Sequence, residues 1–188
     1  MDISRMTDRD LLNEVIGPSA TERIYRGSLT PIFHNQDIPM PQRLKLLAAK
    51  ELVTRMLYEE IKRDISFNAP EVVKRYLFSQ FSGQEHESFL VLFLDAQNRL
   101  IDLEEAFRGT LCQTSVYPRE IVKLALRHNA AAVIFAHNHP SGVAEPSRAD
   151  EMLTESLRQA LGLVDVRVLD HLIIAGGKAV SLAERGLV

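Results

Sequence analysis

The chain has 188 residues, 46% of them hydrophobic and 25% charged, which suits one ordinary globular domain with a small companion and excludes a mainly disordered or low-complexity chain. A single cysteine, Cys112, excludes an internal disulfide and every thiolate-based zinc site, and it favours a reducing compartment. The net charge is −3: residues 1–80 carry 12 basic and 11 acidic side chains, and residues 81–188 carry 10 and 14, so neither part has the basic excess that phosphate binding usually requires.

The first ten residues, MDISRMTDRD, are too acidic and polar for a signal peptide, and no apolar run approaches the ~18–20 residues of a membrane helix. A cytoplasmic protein without a membrane partner is expected. The first 80 residues read as helical. Leu46, Ala49, Val53, Met56, Leu57 and Ile61 recur at helical spacing and predict a helix over 44–62 with one buried face. Asn68, Pro70 and Glu71 are start signals for a second helix, whose apolar face is Val72, Val73, Tyr76 and Leu77. A soft boundary falls near 63–68, giving a helical segment over 1–66 and a second domain over 67–188.

Beyond Gly83 the pattern changes. The run 89–94 (FLVLFL) predicts a buried strand, residues 95–98 a turn, and 100–107 its returning partner. A helix is expected over 118–129, with Ile121, Val122, Ala125 and Leu126 on its apolar face. Residues 130–136 (AAAVIFA) predict a central buried strand, followed by a polar loop over 137–146. An amphipathic helix over 147–161 buries Met152, Leu153, Leu157, Ala160 and Leu161, and strands over 165–175 and 179–182 flank a Gly176-Gly177 turn. This alternation predicts an α/β or α+β domain with helices packed on a mixed sheet.

The chemistry-bearing stretch is H-x-H-P-x6-S-x2-D, formed by His137, His139, Pro140, Ser147 and Asp150. Two histidines one residue apart project to one side of extended backbone, where a buried strand runs into a loop. Asp150, in the first turn of the next helix, can return its carboxylate to the same point. Two imidazoles and one carboxylate leave one tetrahedral position for water, the composition of a catalytic rather than a structural zinc site. Ser147 and Asp150 also form a capping box with Asp at the third position, and a histidine pair at a strand end is often a hydrogen-bonded surface feature. Capping and ligation are compatible.

On these residues, and on EHESFLVLFLDAQNRLI, RGTLCQTSVYPREIVKLAL, NAAAVIFAHNHPSGVAEPSRAD and LVDVRVLDHLII, the chain resembles the RadC-like branch of the JAMM (MPN/JAB) metallohydrolases over most of 70–188. The resemblance implies a mixed sheet of the cytidine-deaminase-like type and a zinc ion held by His137, His139 and Asp150. It also implies Ser147 as an oxyanion partner and hydrolysis of an amide or isopeptide bond in a peptide or protein. The family places its general base just before the first strand; Glu85 and Glu87 compete, and Glu87 lies closest. Glu104, Glu105 and Glu120 read as surface charges or helix-dipole partners. His171 reads as a satisfied histidine at a strand start or as a partner of the site, and Cys112 as a small, partly buried side chain.

The tripeptide His137-Asn138-His139 spells HNH, but a buried strand before it and Pro140 after it do not suit an HNH nuclease. Relatives of this branch usually carry a helix-hairpin-helix whose glycine turn meets phosphate. The corresponding 35–41 segment here (NQDIPMP) has no glycine, and proline removes amides. The alternative expectation is therefore a DNA-repair-associated or DNA-binding accessory protein whose metal site is structural or vestigial. Exposed sheet edges make a homodimer conceivable.

Overall fold

The computed structural model describes residues 3–29, 32, 38–63, 70–109 and 116–188. Cys112, residues 35–37 of the 35–41 segment and the 64–69 connection lie outside the described residues. The chain divides into two compact units, Met1–Met56 and Leu57–Val188.

In the first unit, Thr7 Oγ1 accepts from the Asp10 N–H and the Thr7 N–H donates to the Asp10 carboxylate, a capping box that opens α1 (Asp8–Ile16). Gly17, at φ +86°, turns the chain directly into α2 (Pro18–Ile24), which begins on proline. Leu12, Ile16, Ala20, Ile24, Ile32, Ile38 and Leu46 form its core. The long α3 (Met40–Arg63) starts four residues before the expected 44. Its expected single apolar face is not one face. Leu46 joins the first core and Leu57 and Ile61 the second, whereas Ala49, Val53 and Met56 are exposed.

The second unit is a mixed five-stranded sheet flanked by helices, an α+β architecture as expected. After α4 (Pro70–Phe81) come β1 (Ser88–Leu94), β2 (Leu100–Arg108), α5 (Pro118–Arg127), β3 (Ala132–Asn138), α6 (Arg148–Gly162), β4 (Arg167–Ala175) and β5 (Lys178–Ser181). The sheet order is β2-β1-β3-β4-β5, parallel only between β3 and β4, with α6 as their crossover. Between β1 and β2, Asp95 accepts from the Gln97 and Arg99 N–H groups, and Asn98 takes φ +59°.

Both faces of the central strands are covered, which is why β1 and β3 read as continuous apolar runs. Leu90, Leu92, Leu94, Ile134, Ala136, Leu172 and Ile174 face α4 together with Leu57 and Ile61. Phe89, Val91, Phe93, Val133 and Phe135 face α5 and α6 through Ile121, Ala125, Leu157 and Leu161. Leu126 and Met152, assigned to buried faces from periodicity, are exposed, and Thr154 occupies the α6 face instead. Among the described residues no helix is long and apolar enough to cross a membrane.

Candidate metal centre

The expected loop over 137–146 begins two residues later than its polarity suggests. His137 and Asn138 are still strand: His137 pairs with Phe89 on β1 and with Ile173 on β4, and both residues are buried. Because side chains alternate, His137 continues the Val133–Phe135 row toward α6 while Asn138 points the other way. The backbone N–H of His139 donates to the Ile174 carbonyl at 3.0 Å, carrying the row one residue pair further.

Helix α6 aims its N-terminus at this strand end. Ser147 is the N-cap: its Oγ accepts from the Asp150 N–H at 3.2 Å, and Asp150 Oδ2 accepts from the Ser147 N–H at 2.7 Å. Capping thus fixes the Asp150 carboxylate rather than competing with its other contacts. Asp150 Oδ1 lies 3.3 Å from His137 Nε2, and Oδ2 lies 3.5 Å from His139 Nε2. The two Nε2 atoms are 2.9 Å apart. One donor atom from each residue falls within 4.8 Å of the others, and the cluster reaches solvent on the His139 side.

The donor set suits a cation. His139 Nδ1 lies 2.8 Å from the Val143 carbonyl oxygen, which can only accept, so Nδ1 carries the proton and Nε2 a lone pair. That lone pair faces an imidazole nitrogen and a carboxylate, and the ion-pair partners of Asp150 among the described residues are these two rings. Electron-rich groups held this close need a proton or a metal ion between them. Nitrogen and carboxylate ligands in this ratio are those of catalytic zinc.

The electrostatics agree. Burial pushes the Asp150 carboxyl up, but its contacts with His137 and His139, the charge of His137 and the Ser147 cap outweigh it and hold the group far below the ordinary carboxylate range. The hydrogen bond to Asp150 raises the His139 pKa against burial, helped by the Val143 carbonyl and the charges of Asp150 and Glu87. Burial drives His171 far below its ordinary value, so that ring is neutral.

A pH signature follows. His139 has a raised folded pKa, so in the metal-free protein its stabilisation is complete below the unfolded value of about 6.5 and is lost as pH rises through the raised value. The Asp150 contribution is present above about 3.9 and constant over this range. Metal-free wild type is therefore expected to lose thermal stability as pH rises above about 6.5 relative to His139→Gln. Parallel melting curves for the two proteins would contradict it.

Glu87 precedes β1 and is half-buried. The β1–β3 pairing begins at Phe89 and His137, two residues after Glu87, and the Glu87 charge contributes to the raised pKa of His139. Glu85 is exposed in the preceding turn. The weaker carboxylates are engaged elsewhere. Glu104 pairs with Arg127 and His128, Glu105 accepts from the Ser88 hydroxyl at 2.5 Å, and Glu120 pairs with Lys123 at 2.7 Å. Asp102, Glu104 and His128 also lie within 4.8 Å of one another, but Arg127 neutralises Glu104 and Asp102 accepts from the Tyr58 hydroxyl at 3.1 Å. A cleft of about 600 Å³ lined by Arg158, Asp165, Arg167 and Val188 sits at the far end of α6 and includes none of the site residues.

Asn138 carries no signal in the sequence beyond its place between the histidines. Its side chain accepts from the Ser88 N–H at 2.7 Å and donates to the His86 carbonyl at 2.9 Å, bracketing Glu87 from both sides. Asn138→Ala leaves the buried Ser88 N–H unpaired, and a stability loss of about 1–3 kcal/mol is expected in urea denaturation. An unchanged midpoint would show that the clamp is not needed.

The loop after His139 rests on the β4–β5 turn. Gly176 has φ +55°, and a Cβ there would stand 2.5 Å from the Gly142 carbonyl oxygen. Gly176→Ala is therefore expected to cost more than about 1 kcal/mol and to loosen the Val143 support of His139.

The RadC-like JAB domain family matches residues 67–187 of the chain. The chain belongs to that family. Individual relatives extend the likeness. This RadC-like chain is 60% identical over 144 residues to a UPF0758 protein of Nitrosomonas eutropha, covering 77% of this chain and 64% of that protein. It is 50% identical over 191 residues to a UPF0758 protein of Acidovorax sp. (strain JS42), covering 96% of this chain and 80% of the relative. A UPF0758 protein of Dechloromonas aromatica is 52% identical over 181 residues, with 96% and 79% covered. The chain thus spans less than two thirds of the Nitrosomonas protein, and the shared name states no activity.

Proposed function

We propose that this RadC-like JAB domain is a zinc-dependent hydrolase that cleaves an amide or isopeptide bond in a peptide or protein. The observation that carries the reading is the convergence of His137 Nε2, His139 Nε2 and an Asp150 carboxylate oxygen at the end of a buried strand; Glu87, two residues before Phe89, adds its charge at His139. These three side chains would hold the ion. When bound, zinc supplies Lewis acidity, polarising a carbonyl oxygen and making water acidic enough to give up a proton near neutral pH.

The chain's own groups do the rest. Glu87 accepts a proton from the attacking water as its oxygen bonds to the carbonyl carbon, and returns that proton to the leaving nitrogen as the C–N bond breaks. The Ser147 oxygen caps α6 through a lone pair, so its O–H remains a donor for the carbonyl oxygen as negative charge grows there. Asp150, bound at both ends of the capping box, keeps its charge throughout.

The test is amine release from isopeptide-linked and linear peptide substrates by the zinc-loaded full chain. Hydrolysis should stop on chelation, return with zinc and be absent in His139→Ala. Hydrolysis that survives in His139→Ala, or no hydrolysis of any amide by the zinc-loaded protein, would overturn the reading.

A further inference from the structure

We propose that Thr154 and His171 form a buried hydrogen-bond relay that holds His137 in the one tautomer able to offer Nε2 to a metal ion. Neither residue belongs to the ligand set; both act through His137 as positioning residues. The relay itself stands on geometry alone, and only its effect on affinity rests on the zinc reading above.

Two tautomers of His137 compete. With the proton on Nδ1, Nε2 presents a lone pair to the site. With the proton on Nε2, the ring satisfies itself in the metal-free protein by donating toward His139 Nε2 at 2.9 Å or Asp150 Oδ1 at 3.3 Å, and the ligand position is blocked. The surroundings of the ring decide between them, because His137, His171 and Thr154 are all essentially without solvent exposure.

Proton accounting gives one answer. Thr154 Oγ1 lies 2.6 Å from the Asp150 carbonyl oxygen. A carbonyl can only accept, so the threonine hydroxyl donates there, the usual back-bond of a mid-helix Thr to residue i−4. The same Oγ1 lies 2.6 Å from His171 Nδ1, and its proton is already committed, so His171 Nδ1 must donate. The neutral His171 ring then has a lone pair on Nε2, which lies 2.8 Å from His137 Nδ1 and accepts its proton. His137 Nε2 is left bare and facing the site.

The opposite assignment fails at the start. If Thr154 donated to His171, two oxygens would meet at 2.6 Å with no proton between them inside a buried helix. The relay begins on the backbone of one ligand, Asp150, and ends on the ring of another, His137, so α6 and β4 jointly hold the two in phase. Edge contacts from Phe89 and Phe135, at 5.4 and 5.8 Å between ring centroids, fix the plane of His171.

The test uses the full chain with nitrogen-15-labelled histidine, stripped of metal, and long-range nitrogen–proton correlation to assign the His137 tautomer. Wild type should show the Nδ1-protonated form. Thr154→Val keeps the shape and removes the hydroxyl; it should let the Nε2-protonated form appear and weaken zinc binding, measured by chelator competition, about 10–100-fold. Thr154→Ser should restore both. A wild-type His137 protonated at Nε2 overturns the proposal, and so does Thr154→Val with an unchanged tautomer, whatever its zinc affinity. The wild-type spectrum decides alone if Thr154→Val does not fold. A wild type that shows the expected tautomer but binds no zinc supports the relay and overturns the proposed hydrolase.

Discussion

Glu87→Gln is expected to leave zinc affinity within about twofold of wild type while lowering the rate of amide hydrolysis by about 10²–10⁴-fold, the usual contribution of a positioned general base. The two readouts separate because Glu87 is outside the His137–His139–Asp150 cluster but acts on it: it stands two residues before Phe89, the β1 partner of His137, and its charge reaches the His139 ring. Glutamine keeps the shape and cannot take a proton. Glu85→Gln, in the exposed turn two residues earlier, is the control and should retain full activity. If Glu85→Gln loses activity and Glu87→Gln does not, the base has been assigned to the wrong carboxylate.

The second large effect concerns Asp150, which does two jobs. As the third residue of the capping box it accepts from the Ser147 N–H, and as part of the cluster it brings the negative charge. Asp150→Asn separates them. An amide oxygen can still accept at the helix start, so α6 should lose no more than a cap's worth of stability, about 0.5–2 kcal/mol. Metal binding should suffer much more than the ~10–100-fold typical of a residue behind the ligands, because a charged ligand has become neutral. Asp150→Ala loses both functions. Equal zinc affinity in Asp150→Asn and wild type would remove Asp150 from the ligand set.

Much of this arrangement was legible in the sequence because it is local. The apolar runs over 89–94 and 130–136 mark strands covered on both faces, and the H-x-H-P-x6-S-x2-D spacing places two rings and a carboxylate on a strand end and a helix start. The ends of elements were less legible. His137 and Asn138 look like loop by polarity, yet both are strand, since the β1 and β4 backbones pair with them and their side chains find buried partners. Periodicity on α6 put Met152 inside, whereas Thr154 takes the buried face because its hydroxyl is satisfied by Asp150 and His171. Asn138 and Thr154 were not found as site residues, and His171 was left between a satisfied histidine and a partner of the site, for one reason. Each acts on a residue brought near by the sheet, such as Ser88 or His137, and no spacing along the chain encodes that pairing. On α3, one run of apolar positions serves two cores, so a single helical face could not describe it.

The central claim is that His137, His139 and Asp150 hold one metal ion. Elemental analysis of the purified full chain, dialysed against zinc and then against metal-free buffer, tests it most directly. The structure predicts close to one zinc per chain in wild type and none in His139→Ala at the same protein concentration. Wild type without zinc, or His139→Ala retaining it in full, would contradict the account.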